Sequence, residues 1–136
     1  MNRICPRITL IVLTLCAASA QAGTPAEFQT TLATEARAAN PAFREFSARR
    51  GEVFYRNTHG GDWSCASCHT DDPTATGQHV VTKKTIQPIA PAANAERFTR
   101  PDKIEKWFKR NCNDVLKRAC TPQEKGDFLA YLLSVK

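Results

Sequence analysis

Beyond its first residue the chain contains no methionine; Met1 is the only one in 136 residues. With Met1 in a segment expected to be removed, no thioether side chain is left to bind a metal, whatever the fold. Long apolar runs are missing as well. The best one, Ile8 to Ala18, falls well short of the ~20 residues that a membrane-spanning helix needs. No internal repeat and no second domain is visible. Acidic residues are in the minority, 13 against 19 Lys and Arg. The chain has only three histidines, His59, His69 and His79, so any chemistry that needs an imidazole has few places to reside.

The first 22 residues read as a secretory signal. Arg3 and Arg7 give the positive start, Ile8 to Ala18 the apolar stretch, and Ala20-Gln21-Ala22 an A-x-A cleavage site. The mature chain is expected to begin at Gly23 in the periplasm. Losing Arg3 and Arg7 leaves 17 basic residues against 13 acidic ones, a net charge of +4. Nucleic-acid binding has no support beyond that charge and is excluded by export. Cys5 and Cys16 leave with the signal, so four of the six cysteines remain, in an oxidising compartment where pairing is the default for spare thiols. A chain of this length suits one small domain.

The rest of the chain is organised around Cys65-Ala66-Ser67-Cys68-His69, a C-x-x-C-H run of the kind that attaches a c-type haem. Two thiols at this spacing reach the two vinyl groups on one porphyrin edge, and the adjacent His69 meets the iron from one face. Two plainer readings compete. A redox dithiol would want a strand-turn-helix unit upstream, which is missing, and would leave His69 a coincidence. Half a zinc site would need two more ligands, for which Cys112 and Cys120 are available on paper. A covalent haem also supplies much of the core that so short a chain lacks.

The pattern is helical on either side. Thr24-Pro25-Ala26-Glu27 is a cap with proline at the first helical position. Phe28, Leu32 and Ala36 or Ala39 follow at helix spacing until Asn40-Pro41. A second helix is expected over 43–57, with Phe43, Phe46, Val53 and Phe54 or Tyr55 inward. Gly51 within it costs helix stability and calls for a reason, such as another helix crossing close by. Residues 70–84 are polar and turn-rich, and Thr85 to Asn94 is a proline-interrupted loop suited to covering a porphyrin edge. A helix from Pro101 to about Cys112 carries Ile104, Trp107 and Phe108 as its buried stripe. Thr121-Pro122-Gln123-Glu124 is a capping box opening a last helix with Phe128, Leu129, Leu132 and Leu133 inward, beside Tyr131.

What faces His69 across the ring decides the function. Small electron-carrying cytochromes c commonly use methionine there, and this chain has none to offer. His59, His79, Lys83, Lys84, an asparagine or no ligand at all remain. Cys112 and Cys120 flank the relevant stretch. On one continuous helix their Cα atoms would stand about 12 Å apart, beyond the roughly 7 Å a disulfide spans; if they bridge, the helix must break between them.

The runs Cys65-Ala66-Ser67-Cys68-His69, Ile89-Ala90-Pro91, Arg97-Phe98-Thr99, Glu105 through Asn113 and Cys120 through Lys125 closely resemble the Sphaeroides haem protein (SHP) family, from about Arg50 onward. The segment Arg110-Asn111-Cys112-Asn113 with its second cysteine at Cys120 is the most specific part. The resemblance implies an all-α, class I cytochrome c fold, its helices wrapped around one covalently attached haem c. It implies an SHP-type asparagine, by position Asn111, as distal iron ligand opposite His69, and a disulfide between Cys112 and Cys120. It further implies binding of oxygen and nitric oxide, with a di-haem cytochrome c as electron donor.

Trp107 lies one turn before Asn111 and is expected to line the distal pocket, or else simply to pack in the core. Lys103, Lys106, Lys109, Arg110, Lys117 and Arg118 form a basic surface suited to an acidic redox partner. The resulting domain plan is a signal at 1–22, an N-terminal helical segment at 23–42 and the cytochrome c domain at 43–136. An electron-linked ligand-binding haem protein is expected. A plain periplasmic carrier held by a strong histidine, or a terminal oxygen or nitric oxide reductase, are the alternatives; no distal histidine or carboxylate announces the proton donor that an enzyme would need.

Overall fold

The computed structural model describes residues 23–136; the expected signal, with Cys5 and Cys16, lies outside them. Five helices and one short hairpin make up the order: α1 (Pro25–Ala39), α2 (Ala48–Arg56), α3 (Cys65–His69), β1 (Gly77–Gln78), β2 (Thr85–Ile86), α4 (Pro101–Leu116) and α5 (Pro122–Ser134). The hairpin pairs antiparallel, Gly77 with Ile86 and Gln78 with Thr85.

Capping explains three of the starts. Thr24 and Thr121 each accept from the backbone N–H three residues on, while Glu27 and Glu124 reach back to the cap, and both helices have proline in their first turn. Ser64 and Ser67 close the same reciprocal pair over α3. The α2 helix begins later than the apolar pattern suggests. Ser47 is its cap, and Phe43 to Phe46 run outside the helix before it. Their rings pack on each other at 5.0 Å, and the Phe46 ring fills the space that a side chain at Gly126 would occupy.

The frame of the molecule is the crossing of α2 on α5. At Gly51 a Cβ would overlap the Asp127 carbonyl, so only glycine lets the two backbones meet there. Around the crossing, Tyr55 is fully buried with its ring 6.2 Å from Phe128 and 5.4 Å from Tyr131. Asp127, itself buried, accepts from the Ser47 N–H at 2.7 Å and from Arg50 through Nε at 2.7 Å and Nη2 at 2.9 Å. It thereby fixes the first turn of α2 to α5.

Three inward assignments need correcting. Val53 is exposed because α2 turns Gly51 and Tyr55 to α5 and leaves Val53 between the buried positions. Trp107 is half exposed, and the buried stripe of α4 is Ile104, Phe108 and Cys112, the i, i+4, i+8 series. Leu133 is partly exposed near the end of α5. The α1 helix shares the core: Phe28, Leu32 and Ala36 are buried, and Phe28 stacks on Phe108 at 6.3 Å.

Candidate functional site

The α3 helix is a single turn, and it presents Cys65, Cys68 and His69 together. Cys65 and Cys68 are free thiols. Burial, with the neighbouring Cys68 adding to it, pushes the Cys65 thiol up to about 12. A redox dithiol needs a readily formed thiolate, and the surroundings of Cys65 work against one. The zinc reading also loses its partners, because Cys112 and Cys120 are joined to each other with Cα atoms 5.6 Å apart. Among the described residues no group of three or more His, Cys, Asp or Glu could hold a metal ion.

His69 is largely enclosed. Burial first, and the Arg97 charge second, hold its imidazole down to about 4, which keeps it neutral and able to donate a lone pair to a metal. Arg97 is placed by its own hydrogen bonds, donating through Nε to the Pro88 carbonyl at 2.8 Å and through Nη2 to the Gln87 carbonyl at 2.7 Å. The loop it holds is fastened in turn to the segment after His69, since the Ile89 and Ala90 N–H groups both donate to the Pro73 carbonyl. On the other side, β1 lies so close to the motif that a Cβ at Gly77 would overlap the Cys68 carbonyl.

Asn111 and Trp107 lie on the outer face of α4, one turn apart and away from the buried stripe. The Asn111 side chain has no hydrogen-bond partner among the described residues, and it adjoins the Cys112–Cys120 bridge. The break the bridge needs is present. The α4 helix stops at Leu116, and Lys117 takes the left-handed conformation, φ 58° and ψ 21°, as its C-cap.

The two other histidines each have a ring nitrogen engaged by backbone. His59 Nε2 lies 3.0 Å from the Phe54 carbonyl, which can only accept, so that nitrogen carries the proton; its ring packs on Phe54 at 4.6 Å. His79 Nδ1 accepts from the Val81 and Thr82 N–H groups, both at 3.2 Å, which places the proton of the neutral ring on Nε2. Sequence reasoning quoted Arg97 only within the Arg97-Phe98-Thr99 run and gave it no role, and it did not single out the Gly77 contact or the hydroxyl of Tyr55, for which no motif gives a signal.

Two cysteines on one helical turn, with a neutral, half-buried imidazole adjoining them, are a donor set that fits haem c. Comparison with known proteins agrees. Residues 41–132 match the family model described as a domain of unknown function, DUF1924. The chain is 42% identical over 127 residues to the cytochrome c-type protein SHP of Cereibacter sphaeroides, covering 90% of this chain and 95% of that one. It is 43% identical over 103 residues to cytochrome c'' of Methylophilus methylotrophus, 73% of this chain and 72% of the relative.

Solved structures of both relatives superpose on it. Oxidised cytochrome c'' does so with a TM-score of 0.74 at 38% identity, over 82% of this chain and 94% of that one. Oxidised SHP, described as an oxygen-binding cytochrome c, gives 0.68 at 41% identity, over 82% and 96%. A solution structure of cytochrome c'' concerned with haem-ligand detachment gives 0.70 at 38% identity, over 81% and 92%. The chain therefore belongs to the SHP family of class I c-type cytochromes, and its cofactor is haem c.

Proposed function

We propose that this is a periplasmic mono-haem cytochrome in which Asn111 is a releasable ligand, so that reduction opens a site for oxygen or nitric oxide. When bound, haem c supplies an iron that changes oxidation state and takes diatomic ligands at a free axial position. Cys65 and Cys68 hold it covalently and His69 binds its proximal face. Asn111 offers a neutral, hard and weak amide oxygen. Such a donor would hold ferric iron but bind the softer ferrous iron poorly, so Asn111 would be the residue released on reduction and Trp107, one turn away, would line that side. The cleaved signal at 1–22 delivers the chain, the helical segment 23–42 precedes the cytochrome domain 43–136, and the disulfide keeps the backbone beside Asn111 in place.

The observation that carries this reading is Asn111 itself: an amide with no hydrogen-bond partner among the described residues, on an outward helix face beside the Cys112–Cys120 bridge. The engagement of His59 and His79 in their own turns weighs against a strong histidine in that position. The relatives support it in their own descriptions, one as oxygen-binding and one for haem-ligand detachment. The exposed Lys103, Lys106 and Lys109 give an acidic electron donor, such as a di-haem cytochrome c, a surface to dock on.

Optical spectra of oxidised and reduced holoprotein, with and without carbon monoxide, test the reading. A high-spin reduced form that takes up the gas, and an N111V variant with an altered ferric spectrum, are the expected results. A low-spin reduced form that ignores the gas, or an N111V ferric spectrum like that of the parent, overturns it.

A further inference from the structure

The residue after His69 is strained. Thr70 has φ 65° and ψ 173°, in a region that is essentially reserved for glycine; for a β-branched residue it is a true outlier. Such conformations persist only where the surroundings over-determine them, and they gather at functional sites.

Hydrogen bonds from two sides hold Thr70 in place. The Tyr55 hydroxyl donates to its carbonyl at 2.7 Å. Its own hydroxyl donates to the Asp72 carbonyl at 2.7 Å and accepts from the Asp72 N–H at 3.2 Å. Arg56, the neighbour of Tyr55 on α2, donates to the Asp71 carboxylate and, at 3.1 Å, to the Asp71 carbonyl. Two successive residues of α2 thus grip two successive residues after the ligand. Tyr55 is fully buried, and a phenylalanine would fill the core between Phe128 and Tyr131 as well. The hydroxyl needs a partner once buried, and the partner it has is the peptide that follows His69.

We propose that Tyr55 is a positioning residue for the proximal ligand: by holding the strained Thr70 peptide it fixes the orientation of the His69 imidazole and so tunes the axial bond. This rests on His69 being that ligand; the ferrous readouts below also need the open site of the proposed function. The strain is the reason a tether is required. Released from Tyr55, the Thr70 peptide relaxes toward an allowed conformation and carries the end of α3, with His69, along.

The test is Y55F in the holoprotein, which removes the hydroxyl and keeps the ring, alone and combined with T70G. The readouts are the iron–histidine stretching band of the ferrous protein by resonance Raman and the carbon monoxide affinity. In Y55F the band is expected to move or broaden and the affinity to change by about tenfold, the low end for contacts that orient a metal ligand. Glycine adopts the Thr70 conformation without strain, so in the T70G background the same substitution is expected to have little effect. Such a cycle isolates the coupling between the two positions. Should Y55F alone give no holoprotein while Y55F/T70G gives it, the tether is again required only by the strain, as expected. A parent band unmoved by Y55F, even if the melting temperature falls, overturns the proposal alone. So does an equal effect in both backgrounds. A parent protein with no iron–histidine band keeps a sixth ligand when reduced, which overturns the gating by Asn111; the Tyr55 proposal is then read from the ferric electron paramagnetic resonance g-values, and values unmoved by Y55F overturn it.

Discussion

The α2–α5 crossing and the outer face of α4 are both helical, yet they are secured in opposite ways. At the crossing, backbone meets backbone: Gly51 lies on the Asp127 carbonyl, Gly126 receives the Phe46 ring, and Asp127 ties down the start of α2. Tyr55 and Arg56 extend that frame to Thr70 and Asp71, directly behind His69. The α4 helix is held by one stripe, Ile104, Phe108 and Cys112, by the Glu105–Lys125 ion pair to α5 and by the bridge at its end, while Trp107 and Asn111 face outward. On the functional reading proposed above, the ligand that stays bound has the stiff frame behind it. The one that lets go sits on a more lightly held helix.

Disturbing the frame has the largest expected effect. In G51A the new methyl overlaps backbone, which cannot rotate away, so the helices must separate. A loss of about 3 kcal/mol or more in chemical denaturation is expected, at the upper end of overpacking costs. A G51A protein as stable as the parent would mean that the crossing is not the frame. Opening the bridge on the other side costs less. C112S/C120S removes a short closed loop, for which the chain-entropy model gives about 2–3 kcal/mol. On the functional reading it also raises the high-spin fraction of the ferric spectrum, because Asn111 adjoins the bridge. Lost stability with an unchanged spectrum would show that the staple stabilises the domain without governing the ligand.

Much of this contrast was legible from residue types at fixed spacing. The C-x-x-C-H run and the three proline-led helix starts depend on local chemistry, and each lies where the pattern placed it; Gly51 was legible because its helix cost called for a close crossing, which α5 provides. The start of α2 did not follow from the apolar pattern. Phe43 and Phe46 have helical spacing, but Phe46 is drawn out to fill the gap at Gly126, a partner 80 residues away in sequence. Trp107 misled for a related reason: an aromatic beside Phe108 looks like core until the neighbours of α4 are known. The β1–β2 hairpin left no period to detect in two-residue strands. The Thr70 strain was invisible altogether, since only a backbone angle reports it and no residue preference warns of a threonine in glycine's territory.

The smallest expected effect concerns the charge beside His69. The imidazole is held neutral in the folded protein at about 4, against about 6.5 when unfolded. Between those values the unfolded chain binds the extra proton, so stability is complete above about pH 6.5 and is lost as pH falls toward 4. On the proposed ligation, iron at His69 would compete with the same proton and deepen the effect without changing its sign. Burial is the larger cause and Arg97 the smaller. In R97Q the folded value therefore rises part of the way back, and acid loss of the proximal ligand, followed by the Soret band, begins at a slightly higher pH. R97K separates charge from geometry. It keeps the positive charge and loses the fork that spans the Pro88 and Gln87 carbonyls, so its acid midpoint is expected to stay near the parent's even if the loop is weakened at every pH. Equal shifts in R97Q and R97K would assign the effect to the loop geometry, and His69 would then owe its neutrality to burial alone.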